Sequence, residues 1–291
     1  MRLEQQATFI STITAFILVV IKFIIGVFSG SVAVLASAID SLLDMIISLF
    51  NYFTLKNSDR APDDRFNFGR SKLEPLAAVI EGTIISLSAL FILYSAISKM
   101  IQNSPIEYLN YSIYVIAISF IITAFLVIYL NYVAKKTDNM VIKADALHYK
   151  TDLFSNGAIL FSLIAIHYSG FHLIDAILGI IIAFYMIYSA YPIIKEGVLM
   201  LLDAALEADE VAKIIEILDN ENSISSYHDL RTRKSSNDIY LSVHMVFSVS
   251  TSLLDAHIVG DRVELAIKNL FSDKNIYTLI HLDPYDDSET D

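Results

Sequence analysis

The chain has 291 residues, 55% of them hydrophobic, with a mean hydropathy of +0.56, which excludes an ordinary water-soluble globular protein. It has no cysteine, so disulfides, thiolate metal sites and cysteine nucleophiles are excluded. A net charge of −12 argues against nucleic acid and anionic lipid headgroups as charge partners.

The charge is unevenly placed. Through Leu202 there are 14 acidic and 13 basic residues, and from Asp203 onward 18 acidic and 7 basic. The chain divides into an apolar, transmembrane part (1–202) and an acidic, water-facing part (203–285), with 286–291 expected as a disordered tail.

Six apolar segments long enough to span a bilayer are predicted, at about 7–29, 32–56, 73–100, 109–134, 141–167 and 173–194. The first is too long for a signal peptide and lacks a convincing cleavage site. Turns at Gly30-Ser31 and Tyr168-Ser169-Gly170 make antiparallel hairpins of the flanking segments. Arg2, Lys56, Arg60, Arg65, Arg70, Lys72, Lys135, Lys136, Lys143 and Lys195 fall on one side, and Lys99 on the other. The positive-inside rule then places both termini in the cytoplasm, as six spans require.

Beyond Leu202 the pattern changes to a short helix (209–219), a strand (225–233), a second strand (238–247), an amphipathic helix (252–271) and a last strand (276–283). The expected fold is a six-helix membrane bundle followed by a small cytoplasmic α+β domain of order αββαβ.

The polar residues inside the apolar segments carry the chemistry. Asp40 and Asp44 lie four apart in the second segment, and His148 and Asp152 four apart in the fifth, so each pair shares a helix face. Ser37, Ser48 and Asn51 extend the first stripe; Asp145, Ser155 and Asn156 extend the second. A charge at bilayer depth costs about 2.5–3.5 kcal/mol on the insertion scale. Three carboxylates without a cation repel strongly at low dielectric. A divalent metal resolves the repulsion, and one imidazole with three carboxylates fits tetrahedral Zn2+, with Fe2+, Mn2+ and Cd2+ also accommodated. His148 must be neutral to bind metal, so metal and proton compete, which is the chemistry of a metal–proton exchanger. A carboxylate-bridged metalloenzyme would need Glu-x-x-His pairs on two helices, and these are missing.

The soluble part holds His228, His244, His257 and His281. His244 lies on the opposite strand face from Val243 and Met245, and His281 shares a face with Asp283. Histidines on a solvent-facing sheet surface are not core packing.

Several stretches resemble the cation diffusion facilitator family: LLDM after ASAID, DDRFNFGRSKLEPLAA, HYKTDLFSN, HDLRTRKS, VHMVF, DAHIVGDRVE and IHLDP. The resemblance covers nearly the whole chain and implies a homodimeric secondary transporter, not an enzyme, in a bacterial inner membrane, exchanging divalent metal for protons. It implies Asp40, Asp44, His148 and Asp152 as the transport site, with Zn2+ favoured and Fe2+, Cd2+ or Mn2+ alternatives. It further implies Leu147 as a hydrophobic gate and a dimer-stabilising salt bridge between Lys72 and Asp203. In the cytoplasmic domain it implies a binuclear site, with Asp283 bridging an ion on His228 and His244 and another on His257 and His281. The family's loop site is expected to be absent, because Asp63 matches but Phe66 and Arg70 stand in place of two histidines, and Arg does not ligate a cation at neutral pH. Lys22, Glu81, His167 and His172 are assigned no role. The rival reading is a membrane metal sensor or scaffold that signals through its cytoplasmic dimer without transporting anything.

Overall fold

The structure, a computed structural model, describes residues 2–29, 32–102, 110–169 and 173–288. The expected turns at Gly30-Ser31 and at Gly170 lie outside these residues, as does His172, and of His167 only the backbone is described.

Six long helices come first: α1 (Leu3–Ser29), α2 (Val32–Ser58), α3 (Leu73–Gln102), α4 (Asn110–Thr137), α5 (Met140–Ser169) and α6 (Leu173–Leu201). Each has 27 to 30 residues, or about 40 Å at 1.5 Å per residue, enough to cross a hydrocarbon core of about 30 Å. Among the described residues five of the six are apolar enough to be membrane spans by length and composition. The exception is α5, whose first half carries Lys143, Asp145, His148, Lys150 and Asp152. The chain is an α-helical membrane protein, and its most polar long helix is the one predicted to carry half of the metal site.

Within this unit α1 packs on α2 and α4, and α5 packs on α3 and α4. One apolar cluster joins Ala7, Leu55, Ala77, Leu130, Val133, Ile142 and Tyr149 from five helices. Another joins Ile85 and Ala89 of α3 to Ala183, Met186 and Ala190 of α6, with Leu147 of α5 against it. Large apolar side chains such as Phe16, Phe23, Phe91, Phe125 and Tyr188 are exposed, as lipid-facing positions should be. At one end, Asp59 accepts from Arg2 (2.6 Å) and Gln5 (2.9 Å), and Glu74 accepts from Ser58 (2.8 Å) and Asn139 (2.6 Å). Those bonds gather the start of α1, the end of α2, the start of α3 and the α4–α5 turn on one side.

The second unit, Leu199–Asp291, contains α7 (Ala208–Asp219), β1 (Ser226–Ser235), β2 (Asp238–Val246), α8 (Leu253–Leu270) and β3 (Asn275–Asp283). This is the predicted αββαβ order. Strand order is β1-β2-β3, with β1 antiparallel and β3 parallel to β2. The Ser252 hydroxyl caps α8 by accepting from the Asp255 amide at 3.1 Å. Alternation along β2 sends Ile239, Leu241, Val243 and Met245 into a core with Ile214 and Leu218 of α7 and Val259, Val263 and Ile267 of α8. The helices thus cover one sheet face, and His244 projects from the other.

Candidate metal centres

In the membrane unit α2 and α5 bring three of the four predicted ligands together. Ligand atoms of Asp44, His148 and Asp152 all lie within 4.8 Å of one another. His148 Nε2 is 3.2 Å from Asp44 Oδ1 and 3.8 Å from Asp152 Oδ2. Tetrahedral bonds of about 2.0–2.1 Å put neighbouring ligand atoms about 3.3 Å apart, so these separations suit a single ion. Asp40 stands one turn from Asp44 on α2, is exposed, and lies outside that group. Lys22 of α1 is buried, donates to Ser41 at 2.8 Å and faces Asp44, Asp152 and Asp40 electrostatically. Its ammonium offsets part of the acidic charge. Leu147, beside His148, sits in the α3–α6 apolar cluster.

A second polar cluster lies one turn away from the triad. Asp145 and Glu81 are buried at 0% and 1% exposure. Asp145 accepts from Ser11 (2.9 Å), Ser48 (3.4 Å) and Asn51 (3.5 Å), and Glu81 accepts from Asn51 at 2.9 Å. Sequence reading placed Asp145 on the polar stripe of α5, and the fold surrounds it with hydroxyls of α1 and α2 and an α2 amide.

In the cytoplasmic unit the register decides the site. His228 pairs with His244 across β1–β2, and His244 with His281 across β2–β3. Their rings form a row with centroid spacings of 4.8 and 4.6 Å. The β1 register shifts just after His228, where Asp229 takes a positive φ of 51°. Such a bulge re-aims neighbouring side chains, and Asp tolerates this backbone region better than most residues. Asp283, 3% exposed, places Oδ2 at 3.0 Å from His244 and 3.5 Å from His228, and Oδ1 at 2.6 Å from His281. One carboxylate therefore faces two sets of imidazoles, the geometry of a bridge. His257, on α8, is exposed and pairs with Asp261 one turn on at 3.7 Å; it is not brought to the row.

The structure adds a candidate ligand that sequence reading did not assign. Ligand atoms of His228, His244, Asp283 and Asp287 lie within 4.8 Å of one another. Asp287 Oδ1 is 3.2 Å from His228 Nε2. A cluster of two imidazoles and two carboxylates so close together fits a tetrahedral divalent ion. The acidic run ending the chain was the available signal, but nothing local ties it to His228. The segment is tied to β1 through Ser226, whose hydroxyl donates to the Asp286 carboxylate at 3.1 Å.

In the loop before α3, Asp63 Oδ1 accepts from the Arg65 and Phe66 amides (3.0 and 2.9 Å), and Oδ2 accepts from Arg70 at 2.5 Å. The Arg70 guanidinium lies over the Phe66 ring, 4.4 Å from its centroid. The Phe66 amide and the Arg70 guanidinium hold the Asp63 carboxyl below the usual carboxylate range. Asp203 pairs with Arg233 at 3.1 Å within the cytoplasmic unit, and Lys72 stands immediately before α3.

Comparison with known proteins gives the chain its family. Residues 8–202 match the cation efflux transmembrane domain, and residues 206–285 match the cytoplasmic domain of cation efflux proteins. The chain belongs to the cation efflux, or cation diffusion facilitator, family. Among similar proteins, the cation-efflux pump FieF of Yersinia enterocolitica is 38% identical over 283 residues, covering 97% of this chain and 93% of the relative. The FieF pump of Escherichia fergusonii is 37% identical with the same coverage. For a family member, two acidic-imidazole clusters in two separate domains acquire an obvious class of ligand, a metal cation.

Proposed function

We propose that the chain exports a divalent metal cation from the cytoplasm in exchange for protons, with Zn2+ the preferred cargo and Fe2+ or Cd2+ also carried. The observation that carries this is the Asp44–His148–Asp152 group inside a helical membrane unit. An imidazole with carboxylates favours zinc or ferrous iron over magnesium and calcium. Asp40, one turn along α2, completes the donor set when the helices adjust around a bound ion. A proton taken up by His148 or a carboxylate removes a ligand and lowers metal affinity, which couples the two flows. The cargo reaches the site from the side where the α1, α2 and α3 ends and the basic loops gather, the cytoplasmic side by the positive-inside rule. Alternating exposure of the site to the two sides, with Leu147 closing one path, completes the cycle.

The cytoplasmic domain binds metal as a resident ion rather than cargo. His228, His244, Asp283 and Asp287 hold one ion, and Asp283 shares its other oxygen with His281 for a second. An ion bound there reduces the repulsion between two acidic domains and favours the homodimer. The Asp63 loop carries no ion, since Arg70 occupies its carboxylate.

The test is flux into vesicles loaded with a metal-sensing dye under an imposed pH gradient. Asp44→Ala and His148→Ala are expected to abolish zinc flux. Wild-type flux in either variant would refute the transport site. Metal binding by the parent protein with no flux under any gradient would favour the sensor reading instead.

A further inference from the structure

The membrane unit contains a fully buried acid that the metal group does not use. Glu81 Oε2 accepts from Asn51 Nδ2 at 2.9 Å, and the same nitrogen donates to Asp145 Oδ1 at 3.5 Å. Both amide hydrogens of Asn51 are thereby used, and flipping the amide would set its oxygen against two carboxylates. Two atoms in this cluster are left over: Glu81 Oε1 and Asn51 Oδ1, both buried and both without a partner. They are the twin oxygens of the two groups already bonded to each other. As an ionised glutamate, Glu81 would add a second buried anion beside Asp145, with two acceptors and no donor between them.

We propose that Glu81 is a proton-binding site, a neutral carboxylic acid whose Oε1–H donates to Asn51 Oδ1 and closes a cyclic acid–amide pair. One hydrogen then satisfies both orphaned atoms. The remaining charge falls to Asp145, whose three donors from Ser11, Ser48 and Asn51 suit an ionised carboxylate. Tyr149 backs the arrangement through Ser48, 2.8 Å from its hydroxyl. The charged groups facing Glu81 come from α5, namely Asp145, His148 and Asp152. From α2 it meets the Asn51 amide, and the α6 residues packed on α3 around it are apolar, including Ala190 and Ile194. Among the described residues no cation hydrogen-bonds or pairs with Glu81 or Asp145. Two bare anions side by side here would each lose hydration and repel the other. The Glu81 proton is resident, held outside the metal ligands, and is not one of those exchanged for the cargo.

Infrared spectroscopy on the full chain in lipid tests this, with Glu81→Gln as the variant. Glutamine reproduces the ring, since its amide both accepts from Asn51 Nδ2 and donates to Asn51 Oδ1, so the variant is expected to fold and melt like the parent. The carbonyl band of a protonated carboxyl, present in the parent at neutral pH, is expected to vanish in Glu81→Gln. Protons released per zinc bound are expected to be equal in the two proteins. If no protonated-carboxyl band is lost, Glu81 is ionised and the proposal is overturned. If the band is lost but proton release falls in the variant, the proton belongs to the exchange cycle and the resident site is refuted.

Discussion

Replacing Asp287 by Asn tests whether the end of the chain supplies a metal ligand. Asp287 Oδ1 lies 3.2 Å from His228 Nε2, within the His228, His244, Asp283 and Asp287 group. Asn is close in size, which leaves metal binding as the property at stake. Loss of residues that merely support a ligand costs about 10–100-fold in metal affinity. Removing a charged ligand itself is expected at the upper end, roughly 100-fold or about 2.7 kcal/mol. The same energy is lost from zinc-dependent stabilisation, because a ligand bound only to the folded state stabilises it in proportion to the logarithm of its affinity. The assay is competition against a chromophoric zinc chelator, using the full chain with Asp44→Ala and His148→Ala so that only cytoplasmic ions are counted. The neighbouring Asp286→Asn, whose carboxylate bonds to Ser226 and Ser288, should keep parental zinc affinity. Parental affinity in Asp287→Asn would refute the four-ligand site.

Two further perturbations probe the loop and the membrane packing. Phe66→His with Arg70→His frees the Asp63 carboxylate from Arg70 and places two imidazoles near it; bound zinc is expected to rise by one ion per chain in the same transport-deficient background, and an unchanged metal count would show that more than those two residues excludes the ion. Gly197→Ala puts a Cβ 2.6 Å from Val79 Cγ2 and 3.0 Å from the Pro75 carbonyl oxygen, an overpacking of α6 on α3 that costs about 1–3 kcal/mol and should lower the melting temperature in detergent. Gly260→Ala is the contrasting case, since its nearest neighbour is Leu282 at 3.9 Å; there the gain in helix propensity, about 1 kcal/mol, should raise the melting temperature.

The elements and the local pairs were legible before any folding was considered. Apolar runs and period-two alternation are properties of neighbouring residues, so six long helices and the αββαβ order were legible, with most ends displaced by a few residues and the end of α6 running on to Leu201. Asp40 with Asp44, and His148 with Asp152, were legible as pairs because four residues make roughly one turn of a helix. Likewise His244 could be assigned to the solvent face of its strand from alternation alone. What the tertiary structure decided are meetings between residues far apart in the chain. It drew Asp44, His148 and Asp152 into one group and left Asp40 at its edge. It carried Asp145 away from that group, because a residue three positions before His148 sits about 4.5 Å lower along the helix, level with Ser48 and Asn51. It set Glu81 against Asn51 across two helices, and Asp287 against His228 across the sheet edge. No periodicity encodes those contacts, since each depends on how helices cross and strands register, and that is fixed only once side chains pack into a shared interior.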